Sequence, residues 1–517
     1  VAFPVLRQQP MATGHLVLFL FMLKLLRSTA RSSRRGTLLG TTCRRPLLTG
    51  GGSVSSVSTT TVDGNRVFVA VGSNLGNRFH NIVDGIDRLC CNDDIKLIRT
   101  SSLLETAPMY VADQPAFLNG VVEVETTLAP KDLLTRIKEV EQDLGRDFNG
   151  TRNGPRPLDL DIVFYGTEKE SSLVLNEKDL VIPHPRIQER EFVLAPLMDL
   201  GASQSLHPSL HRTIGQLFED LEETSTAQRV LPLPRGRMLY FNETIVMGIL
   251  NVTPDSFSDG GSYQGQVDLA VEQAMQMIED GAGIIDIGGE STRPGAKEVA
   301  IEEELQRTIP VIQEIRQRSE VALSIDTRHA VVARAAIEAG ADIVNDVSGG
   351  TFDDDMLSTV TELRVPMIIM HMRGTPETMQ SMVAYDNVVE EVAASLRSLS
   401  TAAESAGIQR WQQVLDPGIG FAKDLSGNLQ LLKHYCRLQS MVGDLPLLLG
   451  TSRKGFIGTL AGEADATERD FGTVASCVAA ICLGGQSAGG FNILRVHNVK
   501  GVKQGTIVMD AIKQVKD

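Results

Sequence analysis

Eight short apolar runs recur along the second half of the chain, and stretches with helical spacing separate them. Near-continuous apolar runs of this length are typical of parallel strands that are buried on both faces. Eight strands that alternate with helices over about 270 residues have the count and size of a (β/α)₈ barrel. We therefore predict an α/β TIM barrel whose strands are Ile245–Leu250, Ile284–Ile287, Ala322–Ile325, Ile343–Val347, Met367–Met370, Gln413–Leu415, Leu447–Leu449 and Ile493–Val496.

The first half of the chain has strand and helix patterns in the order βαββαβ. This order predicts an α+β ferredoxin-like sandwich. Its predicted strands are Val67–Val71, Ile95–Ser102, Phe117–Thr126 and Leu158–Tyr165, and its helices follow Phe79 and Pro130.

The boundaries between these regions follow from changes in composition. We expect a leader at 1–62, a first domain at 63–220, a linker at 221–238 and the barrel at 239–517. The linker prediction is based on polar residues, two prolines and a glycine within 221–237, a mixture typical of connecting segments.

The last strand of the first domain carries two carboxylates, Asp159 and Asp161, on one face because side chains alternate along a strand. Paired hard oxygen ligands with room for water and phosphates suit Mg²⁺. Arg146, Arg152 and Arg156 flank the preceding loop and predict a clamp for a polyphosphate. The alternative interpretation is the solvated outer face of an edge strand.

Most predicted barrel strands end in a residue that can take part in chemistry. All these ends lie around one mouth in a TIM barrel, so we predict an active site there. The residues are Asn251, Asp286, Asp326, Asn345, His371, Asp416, Ser452 with Lys454, and Arg495 with His497.

The residue types at the mouth indicate the ligand. Arg293, Arg495 and His497 beside Asn251 predict a diphosphate site that can include Mg²⁺. Asp326, Asn345 and Asp416 offer acceptors and amide donors for the amino-pyrimidinone edge of a pterin, and Lys454 suits a ring carbonyl or nitrogen. A helix N-cap is the alternative role for Asp326.

The first domain resembles 6-hydroxymethyl-7,8-dihydropterin pyrophosphokinase over its whole length. The resemblance implies that Asp159 and Asp161 hold two Mg²⁺ ions on ATP. It also implies that Phe117 and Phe192 sandwich the pterin, whose edge Thr106, Pro108 and Asn119 bind. The implied ATP and transfer region contains Glu141, Arg146, Arg152, Arg156, His184 and Arg190. The matching segments are Val69–Asn74, Thr106–Pro108, Asp113–Asn119, Gly154–Asp161 and Ile182–His184.

The barrel resembles dihydropteroate synthase, again over its whole length. The resemblance implies that p-aminobenzoate displaces pyrophosphate from the pterin diphosphate, with Asn251 on the metal-diphosphate. Asp326, Asn345, Asp416 and Lys454 would then bind the pterin. Thr292, Arg293, Pro294, Phe421 and Ser452 would shape the p-aminobenzoate pocket. The matching segments are Met247–Gly261, Gly289–Gly295, Ser324–Arg328, Asp416–Phe421, Thr451–Gly455 and Arg495–His497.

The net charge of −15 argues against non-specific nucleic-acid binding.

The composition of the N-terminal segment predicts where the protein is located in the cell. The first 62 residues hold eight Arg or Lys and no Asp or Glu, which is typical of an organellar transit peptide. The apolar run at 16–26 contains Lys24 and is shorter than the ~20 residues of a membrane span. We expect the mitochondrial matrix; a plastid, the cytosol and secretion are the alternatives.

Together the two resemblances predict a bifunctional folate-biosynthesis enzyme of the plant type. It would use ATP, 6-hydroxymethyl-7,8-dihydropterin and p-aminobenzoate, without a nucleic-acid partner or a membrane span. The resemblance to the synthase also implies a homo-oligomer through the barrel. The alternatives are a pterin-binding methyltransferase-like barrel and a partly non-catalytic pterin-binding fusion. The cationic residues Arg293, Arg495 and His497 argue against the first, and the retained Asp159 and Lys454 against the second.

Overall fold

The computed structural model describes residues 64–151, 153–166, 172–221, 227–253, 263–291, 298–483, 492–513 and 515. These residues belong to one structural unit, Ser56–Asp517. The predicted leader, Arg152, Thr292, Arg293 and Pro294 lie outside them. Over the described part of the chain, every helix is too short or too polar to cross a membrane.

The N-terminal sheet has the predicted ferredoxin-like order. Its central strand β1 lies between β5 and β4, and β2 pairs with β4 on the other side, all antiparallel. Two helices cover one face and bury Leu133 and Ile137 against Val69 and Leu160. The elements are β1 Asn65–Ser73, α1 Arg78–Leu89, β2 Ile95–Thr100, β3 Leu103–Thr106, β4 Phe117–Thr126, α2 Pro130–Asp143 and β5 Asp159–Tyr165.

The predicted strand Ile95–Ser102 is wrong in its extent, because the chain forms two strands there. Ser101 interrupts the ladder: its hydroxyl accepts a hydrogen bond from Val121 N and donates one to Ser102 O. β2 therefore pairs with one half of β4, and β3 pairs with the other half.

The other face of this sheet is covered by α3 Glu191–Asp199 and α4 Ile214–Glu219. Val163 and Phe164 pack there against Leu194 and Leu197. The hairpin of β8 Leu206–His207 and β9 Arg212–Thr213 lies in this layer, where His207 packs against Phe164. The hairpin of β6 Leu175–Asn176 and β7 Val181–Ile182 instead adds Ile182 to the core on the first face.

Part of the region predicted as linker forms two strands. Strand β10, Gln228–Pro232, pairs with β3, and β11, Met238–Tyr240, pairs with β10, so both strands extend the N-terminal sheet. Apolar residues of β10 and the loop after it pack against two different cores. Val230 joins the core of the sheet, while Leu231 and Leu233 pack against the barrel interior.

The barrel is closed by eight parallel strands, and all eight predicted strands are confirmed. They are β12 Ile245–Asn251, β13 Ile284–Gly288, β14 Ala322–Asp326, β15 Ile343–Asp346, β16 Met367–Met370, β17 Gln413–Asp416, β18 Leu447–Leu449 and β19 Asn492–Val496. The surrounding helices are α5 Tyr263–Glu279, α6 Ile301–Arg318, α7 Ala330–Ala339, α8 Met356–Leu363, α9 Val388–Ala406, α10 Leu425–Lys433, α11 Tyr435–Met441, α12 Gly455–Ala461, α13 Asp470–Leu483 and α14 Val499–Lys513.

Alternation along these strands divides the barrel core into two parts. Ile285 faces the helices, whereas Ile284 packs inside with Ile343, Val414 and Ile493. Leu231, Leu233 and Phe241 join this interior cluster from the segment that enters the barrel. The N-terminal end of the interior is therefore filled with apolar side chains, and polar side chains occur toward the C-terminal ends of the strands.

Candidate active sites

A cleft opens on the N-terminal sheet beside α3, where β1 ends and β4 and β5 begin. Phe117, at the start of β4, and Phe192, in the first turn of α3, both line it. The other lining residues are Ala70, Val71, Gly72, Thr106, Ala107, Met109, Tyr110, Gln114, Asn119, Asn153, Arg156, Asp159, Asp161 and Arg190. Pro108 lies between two of these residues, in the loop after β3.

Buried polar side chains form one wall of this cleft. Asn119 donates to Thr106 Oγ1 at 2.8 Å, and both side chains are largely buried. Gly72 pairs with Asn119 on one side and with Asp159 on the other. A Cβ atom at Gly72 would come within 2.8 Å of Asn119 Oδ1, so glycine keeps this wall open.

The two strand carboxylates face arginines. Arg146 contacts one oxygen of Asp159 at 2.6 Å, and Arg156 contacts the other at 2.8 Å. Arg190 lies 3.5 Å from Asp161, whose side chain stays 34% exposed. Burial opposes ionisation of Asp159, but Arg156 and Arg146 outweigh it and hold the pKa of this carboxyl below its usual value. The cluster thus offers arginines that can bind an anionic ligand and carboxylates that can bind a cation.

Glu141 lies behind this cluster and is fully buried. It accepts from Leu160 N and from Lys138, both at 2.8 Å, and from Arg146. In this structure Glu141 therefore supports Arg146 from behind, and its place in the ATP region stays a prediction. Burial raises the pKa of Glu141 in spite of Lys138 and Arg146.

His184 borders the same cluster, 3.8 Å from Asp161. Its Nδ1 accepts from Arg186 N at 3.3 Å, and its Nε2 lies 3.4 Å from the guanidinium of Arg190. Burial lowers the pKa of His184, so the ring is neutral at pH 7.

In the barrel, Asp286 of β13 is the centre of a buried polar network. It accepts from Asn345 Nδ2 at 3.1 Å, from Arg495 Nε at 2.6 Å and from the Ser324 hydroxyl. Arg495 also donates to Asp326 at 2.6 Å. The pairing of β13 with β14 and of β14 with β15 brings Asp286, Ser324 and Asn345 together inside the barrel.

The charges in this network shift one another. Burial raises the pKa of Asp326 to about 7, although Arg495 opposes the shift. Burial disfavours the charged form of Arg495 too, but Asp286 and Asp326 outweigh it and raise the pKa of this guanidinium. Burial likewise raises the pKa of Asp416, whose Oδ1 accepts from Gly418 N at 2.7 Å.

Lys454 lies over the loop that follows β17. Its Nζ is 4.3 Å from the centroid of the Phe421 ring and donates to Ile419 O. Burial lowers the pKa of Lys454 to about 8, and Asp416 partly offsets this effect. Beside it, Ser452 Oγ lies 2.9 Å from His497 Nδ1. The mouth thus brings an ammonium, a carboxylate and an aromatic ring together.

Comparison with known proteins assigns both sites to families. Residues 68–202 match 7,8-dihydro-6-hydroxymethylpterin-pyrophosphokinase (HPPK), and residues 247–497 match the pterin binding enzymes. The folate synthesis bifunctional protein, mitochondrial, of Arabidopsis thaliana is 43% identical over 500 residues, covering 90% of this chain and 87% of the relative. Its counterpart in Pisum sativum is 42% identical, covering 89% and 92%.

The chain belongs to the family of bifunctional folate synthesis proteins.

Solved structures agree for the barrel. The dihydropteroate synthase of Xanthomonas albilineans with 4-aminobenzoic acid is 42% identical, with a TM-score of 0.50 over 54% of this chain and 97% of that one. The Yersinia pestis enzyme in a sulfonamide complex is 39% identical, with a TM-score of 0.51 over 55% and 100%.

Arg495, which the sequence predicts at the anion site, has two carboxylate partners in the structure. It pairs with Asp286 and Asp326, which lie among the groups expected to hold the pterin. Its role in a diphosphate site beside Asn251 and His497 stays a prediction. Asn251 ends β12, partly exposed, and His497 N donates to Ser452 Oγ at 3.1 Å.

The sequence predicts Asp286 at the barrel mouth but not its central position, which depends on which strands are neighbours. Two other residues of the sites, Lys423 and Asn74, were not predicted. Lys423 donates to Gly418 O at 2.9 Å and lies 3.0 Å from His371 Nδ1, fixing the loop after β17. Asn74 accepts from Arg156 N at 2.8 Å and donates to Gln114 at 3.1 Å. Both Asn74 and Gln114 fall in the matching motifs, which was the available signal.

Proposed function

We propose that this chain makes 7,8-dihydropteroate in two steps. The first domain transfers pyrophosphate from ATP to 6-hydroxymethyl-7,8-dihydropterin, and the barrel condenses the diphosphate with p-aminobenzoate. The observation that carries the proposal is the presence of both sites in one chain: Asp159 and Asp161 beside an aromatic cleft, and Lys454 with Asp416 in a barrel mouth.

In the first step the hydroxymethyl oxygen of the pterin bonds to the β-phosphorus of ATP, and AMP leaves as the hydroxyl proton is lost. Phe117 and Phe192 hold the ring between aromatic faces, and Thr106 and Asn119 bind its edge from within the cleft. Pro108 in the adjacent loop completes the proposed pterin site. Arg146, Arg156 and Arg190, with Arg152, neutralise the phosphates, and His184 binds nearby. Positioning and charge neutralisation supply most of the catalysis in such transfers.

In the second step the amine nitrogen of p-aminobenzoate bonds to the pterin methylene carbon. The carbon–oxygen bond breaks, pyrophosphate leaves and the amine loses a proton. Asp326, Asn345 and Asp416 bind the pterin, and Lys454 donates to its ring. Placed charges of this kind stabilise the cation that develops as the diphosphate departs. Ser452 and Phe421 border the p-aminobenzoate, and Arg495 and His497 complete the site. From the sequence we also assign Thr292 and Arg293, which lie outside the described residues, to p-aminobenzoate binding.

Mg²⁺ fits the residues of the first site. Asp159 and Asp161 present carboxylate oxygens on one face of β5, and Asp161 is exposed enough to accept a hydrated ion. Two ions bound with ATP, and one bound with the diphosphate near Asn251, would screen phosphate charge and hold the leaving groups in line.

The barrel helices favour a homo-oligomer. Large apolar side chains are exposed on α13 and α14, with Phe471 90% exposed. Large exposed apolar side chains on neighbouring helices are a feature of protein contact surfaces. The others are Leu483, Ile507, Val508 and Ile512. We also propose the mitochondrial matrix as the location, from the leader composition and from relatives whose names include the mitochondrion.

A labelled p-aminobenzoate assay tests the two-step function. The purified chain should form labelled dihydropteroate from ATP, Mg²⁺ and hydroxymethyl-dihydropterin, and should need no ATP when the pterin diphosphate is supplied. Chelation of Mg²⁺ should stop the complete reaction, and restored Mg²⁺ should recover it. The proposal fails if preformed diphosphate gives no product or if product forms from the alcohol without ATP.

A further inference from the structure

The hairpin of β10 and β11 connects the barrel to the pterin end of the first site. β10 pairs with β3, placing Gln228 opposite Glu105, the residue before Thr106. Thr106 in turn pairs with Phe117 across β3 and β4. The hairpin thus borders the strand that delivers one proposed pterin ligand.

A chain of polar contacts runs from the hairpin to both strands. Tyr240 at the end of β11 donates to Glu105 Oε1 at 2.9 Å. Arg78, at the start of α1, contacts the other oxygen of Glu105 at 2.5 Å. The same guanidinium donates to Ala116 O at 2.9 Å, immediately before Phe117. These contacts lie on the face of β3 opposite the cleft, because Glu105 alternates with Thr106.

Burial strengthens this arrangement. The side chains of Arg78 and Glu105 are only 18% and 19% exposed, so their attraction is less screened than that of a surface pair. Burial, together with Glu105, raises the pKa of Tyr240, which keeps its hydroxyl protonated as the donor. Without the Tyr240 hydroxyl, Oε1 of the largely buried Glu105 carboxylate would lose this hydrogen-bond donor.

The hairpin is also anchored to the barrel. Leu233 and Phe241 pack into the apolar end of the barrel interior. Arg235 contacts buried Asp342 at 2.6 Å, and Arg237 contacts the same carboxylate. Tyr240 therefore occupies a position that the folded barrel sets.

We infer that Tyr240 is a positioning residue for pterin binding in the pyrophosphokinase reaction, acting through Glu105 and Arg78 on the strands that carry Thr106 and Phe117. The hairpin thus supports the first site from the face of β3 opposite the cleft. This inference rests on the proposed pterin role of Thr106 and Phe117.

The test measures both reactions of the full chain after Tyr240→Phe, which removes only the hydroxyl. We expect the KM for hydroxymethyl-dihydropterin to rise roughly three- to tenfold, which is the ordinary net contribution of one hydrogen bond, because the lost contact acts on the pterin only through Glu105. The KM for ATP and the synthase rate from preformed diphosphate should stay unchanged. Glu105→Gln should act in the same direction. Lys503→Met, which removes a neighbouring contact to Glu243 at 3.2 Å, is the matched control and should leave the pterin KM unchanged.

Two results would overturn the inference. One is an unchanged pterin KM in Tyr240→Phe; the other is a parallel loss of both reactions, which would indicate general destabilisation. Thr106→Val and Phe117→Ala separate this failure from failure of the proposed site. If they raise the pterin KM and Tyr240→Phe does not, the site stands and the hairpin role is wrong. If none of the three raises it, the pterin site itself is wrong.

Discussion

The guanidinium of Arg146 lies 2.6 Å from one oxygen of Asp159, while its contact with buried Glu141 fixes it from behind. This relationship places a cation on the carboxylate that we propose as a metal ligand. An incoming phosphate offers Arg146 a second anionic partner, and a metal ion offers Asp159 a second cation. Ligand binding would thus replace one set of charge pairs with another, without leaving a charge unpaired.

Replacing Arg146 tests this exchange. Arg146→Ala should lower kcat/KM for ATP in the pyrophosphokinase reaction by roughly 100-fold, because a charge-assisted phosphate contact is lost. Arg146→Lys should recover only part of the loss, since an ammonium cannot reproduce the fork of a guanidinium. AMP formation measures the effect. The synthase reaction from preformed diphosphate is the control, and an equal loss there would contradict the assignment.

The pKa of Lys454 gives the synthase a pH dependence. Burial lowers this pKa to about 8, so the ammonium is mostly charged at pH 7 and loses its proton as the pH rises through about 8. Synthase kcat/KM should therefore fall above this pH. Lys454→Arg should move the alkaline fall upward if it retains activity, because arginine stays protonated. A fall at the same pH in both forms would show that another group titrates.

The junction between the hairpin and the barrel should be important for stability. Asp342 is fully buried and is contacted by Arg316, Arg235 and Arg237. Removing one partner of such a cluster costs about 3–5 kcal/mol, because buried charge is left uncompensated. Asp342→Ala should lower the free energy of unfolding by that amount in urea titration. Glu362→Ala breaks an exposed pair with Arg334 and should cost only about 0–1 kcal/mol. Equal costs for the two variants would argue against the role of the junction.

The proposed homo-oligomer can be tested on α13. Phe471 is 90% exposed, and Phe471→Glu would place a charge in an apolar contact, which should lower the molar mass measured by light scattering after size exclusion. Leu269→Glu, on exposed Leu269 of α5, is the matched control and should leave the mass unchanged. A monomeric wild-type chain would contradict the oligomer, and an unaffected Phe471→Glu oligomer would exclude this surface.

Local sequence patterns were sufficient to predict the strands and the polar ends of the barrel. An apolar run such as Met367–Met370 predicts a buried strand. A polar residue directly after such a run is predicted to lie at the mouth of the barrel. The alternation of Asp159 and Asp161 placed both on one face, where the structure has them.

Contacts between distant segments could not be predicted in the same way. Arg495 donates a hydrogen bond to Asp286, although the two residues are 209 positions apart in the chain. No local sequence pattern predicts this contact. The prolines, glycine and polar residues around Gln228–Pro232 predict a linker, although this segment forms a strand. Its partners, the edge of β3 and the open end of the barrel, become visible only when both domains are folded.

The division of labour between the two sites is the central claim, and the partial reactions of two single variants test it most directly. Asp161→Ala should lose AMP formation from ATP and hydroxymethyl-dihydropterin, yet still make labelled dihydropteroate from preformed diphosphate. Lys454→Ala should show the opposite pattern. If either substitution abolishes both partial reactions in a protein that remains folded by thermal denaturation, the two sites do not act as the account requires.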